Sequence, residues 1–516
     1  MQQPITILNR IAVGDAIRRS AWRYPNKEVV IDGERRFTFT DVFQHTNQLA
    51  NYLLNQGFQK GDRIATICLN SYEHIVAMYG IEKAACVWVP VNAALISSDI
   101  DYILKAAEVK LVIVDDILYK AHEALLREYA CLIVTASDAD NSFTQAYQHE
   151  SIEEPEVDIQ DRDIVHIMFT SGTTSNPKGV MTSHLAVHLA GLGSIIELGL
   201  NHTLSTIGMM PFFHCAQHTF INAIMILGGK ITVMKKFDPL HLMKLVEQEG
   251  VNFTFLLPMM YRAIIYNPER KNYDLSSLKT CLYAMAPMDQ TTLETGIKEL
   301  GAEFWSASGQ TEMYPGTTFF RPEHQLTKRG SYWGEPNPVN DLAIMDDEGN
   351  ILPNGQVGEI VHRGPNVMNG YLNNPEATKE ASKFGWHHTG DLGYIDQDGL
   401  LVFVDRKKDM IKTGGENVAS IHVEQTLLNC EHVENCVVVG LPHPRWIEAV
   451  TAFVKLKDGA TEEDVYAYCR EHLAGFQVPK KIMLVDEFPM TSTGKIQKHV
   501  LRSKYVQLYA NEPEHA

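Results

Sequence analysis

The sequence predicts an α/β protein: a large N-terminal domain of parallel-type α/β sheets with a β-rich subdomain, followed by a small mobile α+β C-terminal domain. Three observations carry that reading. Apolar runs of strand length alternate with helical stretches at βαβ spacing across residues 63–305. From about residue 331, short strands alternate with polar turns such as Asp347-Glu348-Gly349-Asn350 and Gln397-Asp398-Gly399. Five consecutive charges, Asp405-Arg406-Lys407-Lys408-Asp409, then break the pattern ahead of a compact segment of domain size. The expected domains are 1–404 and 405–516.

The elements follow in order. Val13, Ala16, Ile17 and Ala21 recur at helical spacing, and residues 29–31 with 36–38 form a short strand pair. An amphipathic helix over 42–54 precedes a strand over 63–69. Asn70-Ser71 caps a helix over 72–85, a strand covers 86–91, Ser98 caps a helix to 107, and a strand covers 110–114. Residues 137–162 are polar and acidic and read as a surface connection. Residues 164–169 read as a buried strand, and 180–190 can form a helix. Strands over 205–210, 253–257, 278–285 and 303–305 hand over to polar or Gly/Pro loops, and 231–234 leads to a helix over 239–249. In open α/β sheets ligands bind outside the carboxyl ends of strands, so these loops can converge on one site. The last segment carries strands over 437–439, 451–454 and 481–485 and a helix capped by Thr461.

Bulk properties bound the function. The net charge is −18, which argues against a nucleic-acid partner or an anionic-membrane anchor, both of which want basic faces. The eight cysteines are scattered with no CxxC pair, as small buried residues in a reducing compartment are. The N-terminus shows no basic region with an apolar core, and no apolar run has the length of a membrane span. A cytoplasmic location is expected, with a homodimer left open.

Residues 170–179 read Thr-Ser-Gly-Thr-Thr-Ser-Asn-Pro-Lys-Gly. Hydroxyls, glycines and a lysine suit a loop around phosphate oxygens. It is not a P-loop, because Lys178 precedes the last glycine and no Ser or Thr directly follows it. Alone, the segment serves equally as a polar turn. Four further motifs stand behind it in order: Gly309-Gln310-Thr311-Glu312, Thr389-Gly390-Asp391, the run from Asp405 through Lys412-Thr413-Gly414-Gly415-Glu416, and Pro489-Met490-Thr491-Ser492-Thr493-Gly494-Lys495. Together they resemble the adenylate-forming superfamily of acyl-CoA synthetases, peptide-synthetase adenylation domains and luciferases, over nearly the whole chain.

The resemblance implies a two-step ligation using ATP, Mg²⁺ and coenzyme A: a carboxylate attacks the α-phosphorus, then a thiol attacks the acyl carbon and releases AMP. It implies that Thr170, Ser171, Gly172, Thr173, Thr174 and Lys178 hold phosphates. Ser308, Gly309 and Gln310 would line the nucleotide, with Thr311 near the α-phosphate. Glu312, with Thr170, would hold Mg²⁺. Asp391 and Arg406 would meet the ribose. Lys495 would cross from the small domain as the main catalytic residue, and His214 would flank the acyl carboxylate. Asp405 would be the hinge of a rotation that brings Lys412, Gly414, Gly415 and Glu416 to the coenzyme A tunnel. Ala284, Met285 and Ala286 would line the acyl pocket.

Two positions depart from the family pattern. Ser308 stands where an aromatic residue usually stacks on adenine. Met285 stands where relatives carry a small residue, which favours a short, medium or compact acyl substrate. An enzyme loading a carrier protein is the alternative to an acyl-CoA ligase. A catalytically silent scaffold is the third reading, against which Lys178, Glu312, Asp391, Arg406 and Lys495 stand together.

Overall fold

The computed structural model describes residues 9–135, 142–170, 177–284, 288–490 and 496–510. The parallel core of the larger sheet runs Glu28–Asp32, Lys230–Val233, Ser205–Gly208, Phe253–Leu256, Thr280–Ala284 and Glu303–Ser308 in spatial order. β-branched and aromatic residues fill these short strands, which are buried along most of their length, as a sheet covered on both faces requires. The β-rich subdomain is not separate from this sheet. Thr318–Phe320 turns back antiparallel on Glu303–Ser308, Tyr332–Pro336 pairs with it, and Leu401–Arg406, His387–Ile395, Gly358–Arg363 and Asp341–Met345 extend the same sheet to thirteen strands.

A second, seven-stranded sheet runs Gly370–Tyr371, Lys178–Ser183, Ile164–Thr170, Val87–Pro90, Arg63–Ile67, Leu111–Asp115 and Cys131–Val134. Its Trp88, Val165 and Met168 share one core with Val30, Ile231, Phe255 and Leu282 of the larger sheet. The helix Tyr72–Lys83 lies in that core with every residue buried, its N-terminus capped by the Ser71 hydroxyl. A second core on the other face of the parallel strands joins Ile207, Leu256, Cys281 and Phe304 to Leu242, Ile264 and Leu293 of three covering helices. A five-stranded sheet, with Val433–His443 antiparallel to Ile447–Leu456, forms the C-terminal unit. Its helix Glu462–His472 opens on a reciprocal cap between Thr461 and Asp464.

Three local expectations are corrected. Residues 180–183 are not helical: Lys178–Ser183 is a strand antiparallel to Ile164–Thr170, and the helix His184–Glu197 begins only after the Ser183 hydroxyl caps it. Val180, Thr182 and Ser183 are buried in strand pairing, which overrides the local helical pattern. The polar stretch before that hairpin contains the helix Ser142–Tyr147, because Phe143 and Tyr147 bury against the first core. Ser98 is inside its helix, which starts at Ser97 without a side-chain cap. Among the described residues no helix is long and apolar enough to cross a membrane.

Candidate active site

The hairpin correction changes how the phosphate-loop residues are held. Thr170 ends one strand, Lys178 begins the next, and the two are register partners, so the pairing fixes both ends of the loop. Ser171, Gly172, Thr173 and Thr174 lie outside the described residues. The Lys178 ammonium sits 4.8 Å from the centroid of the Tyr371 ring. Tyr371 belongs to the short strand Gly370–Tyr371, paired antiparallel to the same hairpin. Its hydroxyl donates to Glu312 Oε1 at 2.9 Å. Burial, then the neighbouring Glu312 charge, pushes the phenol's pKa up, so the hydroxyl keeps its proton and remains a donor. Tyr371 therefore joins Lys178 to Glu312. Sequence reading missed it; an aromatic in a turn-rich Asn-Gly-Tyr-Leu-Asn-Asn-Pro stretch carries no local signal of that contact.

Glu312 lies in the tight turn Thr311–Met313 after the strand Glu303–Ser308. Its carbonyl accepts from Met368 N–H at 2.7 Å, tying the turn to the segment that leads to Tyr371. Gly309 is required by space: a Cβ there would lie 2.9 Å from Gly316 N and Pro315 Cα. The Thr311 hydroxyl lies 3.5 Å from Cys215 Sγ, which is 3.8 Å from His214 Nδ1. His214 caps the helix Cys215–Leu227, its Nδ1 accepting from Ala216 N–H. Thr311 and His214 thus meet at one buried thiol, where sequence reading saw only a small apolar residue.

Gln310 ties the turn to the subdomain. Its amide donates to the Thr389 carbonyl and to Asp391 Oδ2, each at 2.9 Å. Asp391 is buried and sits directly across the antiparallel ladder from Arg406, whose Nε is 3.5 Å from Asp391 Oδ1. The Arg406 side chain is half exposed, so it is able to reach a ligand. Ser308, at the end of its strand, shares a 2.6 Å hydrogen bond with the Thr318 hydroxyl. Ala284 ends the neighbouring strand, opposite Ala307. Met285 and Ala286 lie outside the described residues, as does Lys495.

The remaining residues lie in the C-terminal unit or, for Asp405, on the strand that leads into it. Lys412 and Glu416 lie on the hairpin strands Ile411–Thr413 and Glu416–Val418. Gly414 and Gly415 turn it with φ of 59° and 91°, a backbone region that favours glycine. This hairpin neighbours Trp446 and, on the adjoining strand, Ile447 and Glu448. Asp405 is buried at the junction of the two units. Its carboxylate accepts from the backbone N–H groups of Arg406 and Ser420. Burial raises its pKa, against the opposing pull of Lys498. Lys498 donates to the Ser420 hydroxyl at 2.7 Å and pairs with Glu424 at 2.8 Å. It was not singled out in the sequence.

The family described as AMP-binding enzyme matches residues 17–372, and the AMP-binding enzyme C-terminal domain matches 422–495. A feruloyl-CoA synthase of Amycolatopsis sp is 33% identical over 495 residues, covering 94% of this chain and 98% of the relative. A 2-succinylbenzoate–CoA ligase of Geobacillus sp. (strain WCH70) is 32% identical, covering 94% and 96%. ATP-bound MatB from Rhodopseudomonas palustris superposes with a TM-score of 0.88 at 27% identity, covering 96% of this chain and 99% of that one. The anthranilate CoA ligase AuaEII in complex with anthranoyl-AMP also gives 0.88, at 25% identity, covering 97% and 98%. Both halves of the chain, the fold that joins them and relatives spanning nearly its full length lead to one conclusion: this protein belongs to the AMP-binding enzyme family, as an acyl-CoA synthetase of the adenylate-forming superfamily.

Proposed function

We infer that the chain is an AMP-forming acyl-CoA ligase. The observation that carries this is the continuous set Lys178–Tyr371–Glu312–Thr311, joined through Gln310 to Asp391. A cation and a buried carboxylate thus flank the turn that carries Glu312, an arrangement that suits a nucleotide. In the first step a carboxylate oxygen bonds to the α-phosphorus of ATP and pyrophosphate leaves. In the second the coenzyme A sulfur bonds to the acyl carbon and AMP leaves. Both steps move negative charge, so the protein's task is positioning and electrostatic stabilisation.

In this reading Lys178 and the 170–174 hydroxyls hold the departing pyrophosphate. Asp391 accepts the ribose hydroxyls beside Arg406, and Thr311 orients the α-phosphate. His214 flanks the acyl carboxylate. Glu312 is oriented by the Tyr371 hydroxyl, which occupies only Oε1; with Thr170 it fits Mg²⁺, which would neutralise phosphate charge. Lys495 supplies positive charge at the bond being made. The domains divide at Asp405, giving 1–404 and 405–516; the strand Leu401–Arg406, the last of the large sheet, carries this hinge residue near its end, and Ile411–Thr413 begins the small sheet. Rotation there withdraws Lys495 and presents Lys412, Gly414, Gly415 and Glu416 to the pantetheine arm.

Relatives of similar identity are named for feruloyl, 4-hydroxybutyrate and long-chain acids, so likeness does not choose the substrate. Met285 favours a short, medium or compact acid over a long straight chain. A steady rise of kcat/KM to the longest acids would refute that. Pyrophosphate release across a panel of acids, with and without coenzyme A, tests the function itself. Acid-dependent release with coenzyme A-dependent AMP formation is expected; AMP formation indifferent to coenzyme A would favour the carrier-protein reading.

A further inference from the structure

We propose that Glu82, His166, His218 and Tyr314 form a buried positioning network that fixes the Thr311–Glu312 turn for the adenylation step. The proposal rests on the roles given above to Thr311 and Glu312.

The four side chains are buried and come from four separate elements. Glu82 is the second-to-last residue of the buried helix Tyr72–Lys83. His166 lies four residues before Thr170 on the strand that enters the phosphate loop. His218 is one helical turn after His214, and its backbone N–H donates to the His214 carbonyl. Tyr314 follows the Glu312 turn directly, and its N–H donates to the Thr311 carbonyl at 3.2 Å. The network therefore touches the strand that enters the phosphate loop, the helix that follows His214 and the turn that carries Thr311 and Glu312.

Two hydrogen-bonded pairs pack against each other, the His166 and His218 rings edge to face with centroids 4.8 Å apart. Glu82 Oε1 and His166 Nε2 are 2.6 Å apart, and the Tyr314 hydroxyl bonds to His218 Nδ1. His218 Nε2 lies 4.0 Å from Glu82 Oε1. Burial raises the Glu82 pKa and lowers that of His166 to about 3, so the proton belongs on the carboxyl, which donates to the ring nitrogen. Burial likewise keeps the Tyr314 hydroxyl protonated, as the donor to His218. The cluster is neutral.

Packing alone does not account for this arrangement. Glu82 Oε2, His166 Nδ1 and His218 Nε2 find no hydrogen-bond partner, a cost that an all-apolar core would avoid. Tyr314 adopts φ of 35° without being glycine, and strain of this kind persists where surrounding contacts over-determine it. Its hydroxyl bond to His218 is the contact that pins the ring end of that residue.

The same three donors, Glu82, His166 and His218, could be read as metal ligands. Two ligands at about 2.1 Å from a tetrahedral ion stand roughly 3.4 Å apart. The 2.6 Å contact between Glu82 and His166 is a hydrogen bond and leaves no such gap.

The test compares Tyr314→Phe and His218→Asn with Tyr79→Phe, which removes a buried hydroxyl that has no partner. Readouts are acid-dependent ATP–pyrophosphate exchange, thioester formation from a supplied acyl-adenylate, and the thermal midpoint. The acid is whichever of butyrate, octanoate, benzoate and cinnamate supports exchange. Tyr314→Phe is expected to lower kcat for exchange about tenfold or more, leave thioester formation within about twofold, and exceed any effect of Tyr79→Phe. His218→Asn should reproduce the split. Unchanged exchange, or equal loss in both half-reactions, overturns the proposal. So does one transition-metal ion per chain that is lost in Glu82→Gln. Glu312→Gln separates the two levels: unimpaired exchange there refutes the reading of Glu312, whereas impaired exchange with Tyr314→Phe at wild-type rate refutes the network alone.

Discussion

Tyr371 and Lys83 show what single side chains contribute. Tyr371→Phe keeps the ring beneath Lys178 and deletes the donor to Glu312. Pyrophosphate-exchange kinetics should show kcat/KM for Mg·ATP reduced about tenfold, the scale of one charge-assisted hydrogen bond; an unchanged value would remove Tyr371 from the site. Lys83 is wholly buried, with its ammonium 2.7 Å from Asn47 Oδ1 and 4.5 Å from the Phe43 ring centroid. Burial lowers its pKa from 10.5 to about 7. Between those values the unfolded chain holds a proton that the folded chain has released. Stability contributed at this site therefore rises with pH from about 7 to 10.5, by at most about 1.4 kcal/mol per pH unit. Denaturant titrations should show that slope in the wild type and its loss in Lys83→Met; identical slopes would contradict the burial argument. Asp391 and Glu312 could be named as candidates only through the ordered motifs, since alone Asp391 reads as a turn residue and Glu312 as a surface carboxylate. Tyr371, Cys215 and Lys498 could not be, because their roles exist only through partners that the sheet topology delivers from elsewhere.

At the scale of elements, the loop at 170–179 is the instructive case. Its composition suits a phosphate loop and a polar turn equally, and the strand before it was legible. The strand after it was not, because Lys178–Ser183 gains its extended form from pairing with Ile164–Thr170 and Gly370–Tyr371. Long-range pairing overrides local periodicity here. Where capping chemistry is local, as at Ser71 and Thr461, the helix starts were read correctly. The Thr311–Met313 turn depends on a close backbone approach at Gly309. Gly309→Ala should depress acid-dependent exchange by about a hundredfold while circular dichroism stays native, since a displacement near 1 Å at the site suffices for that loss. Wild-type exchange in that variant would show that the turn tolerates the extra methyl group.

For the whole molecule, the two sheets, their shared core and the C-terminal unit follow the alternation visible in the sequence. The attachment of the β-rich strands to the thirteen-stranded sheet did not, since it rests on the pairing of Tyr332–Pro336 with strands on both sides. That attachment places Asp391 and Arg406 beside Gln310, and puts the buried Asp405 at the start of the crossing into the smaller unit. If the units alternate about Asp405, the two half-reactions use different residues. Lys495→Ala should abolish acid-dependent exchange yet spare thioester formation from a supplied acyl-adenylate. Equal loss of both would contradict rotation.

The central claim is the transfer of a carboxylate oxygen to the α-phosphorus, and isotope labelling follows that atom. With a carboxylic acid labelled with ¹⁸O in its carboxylate, ATP and coenzyme A, mass spectrometry should find one labelled oxygen in each AMP formed and none in pyrophosphate. Label in pyrophosphate or inorganic phosphate, or unlabelled AMP beside labelled acyl-CoA, would contradict an acyl-adenylate route.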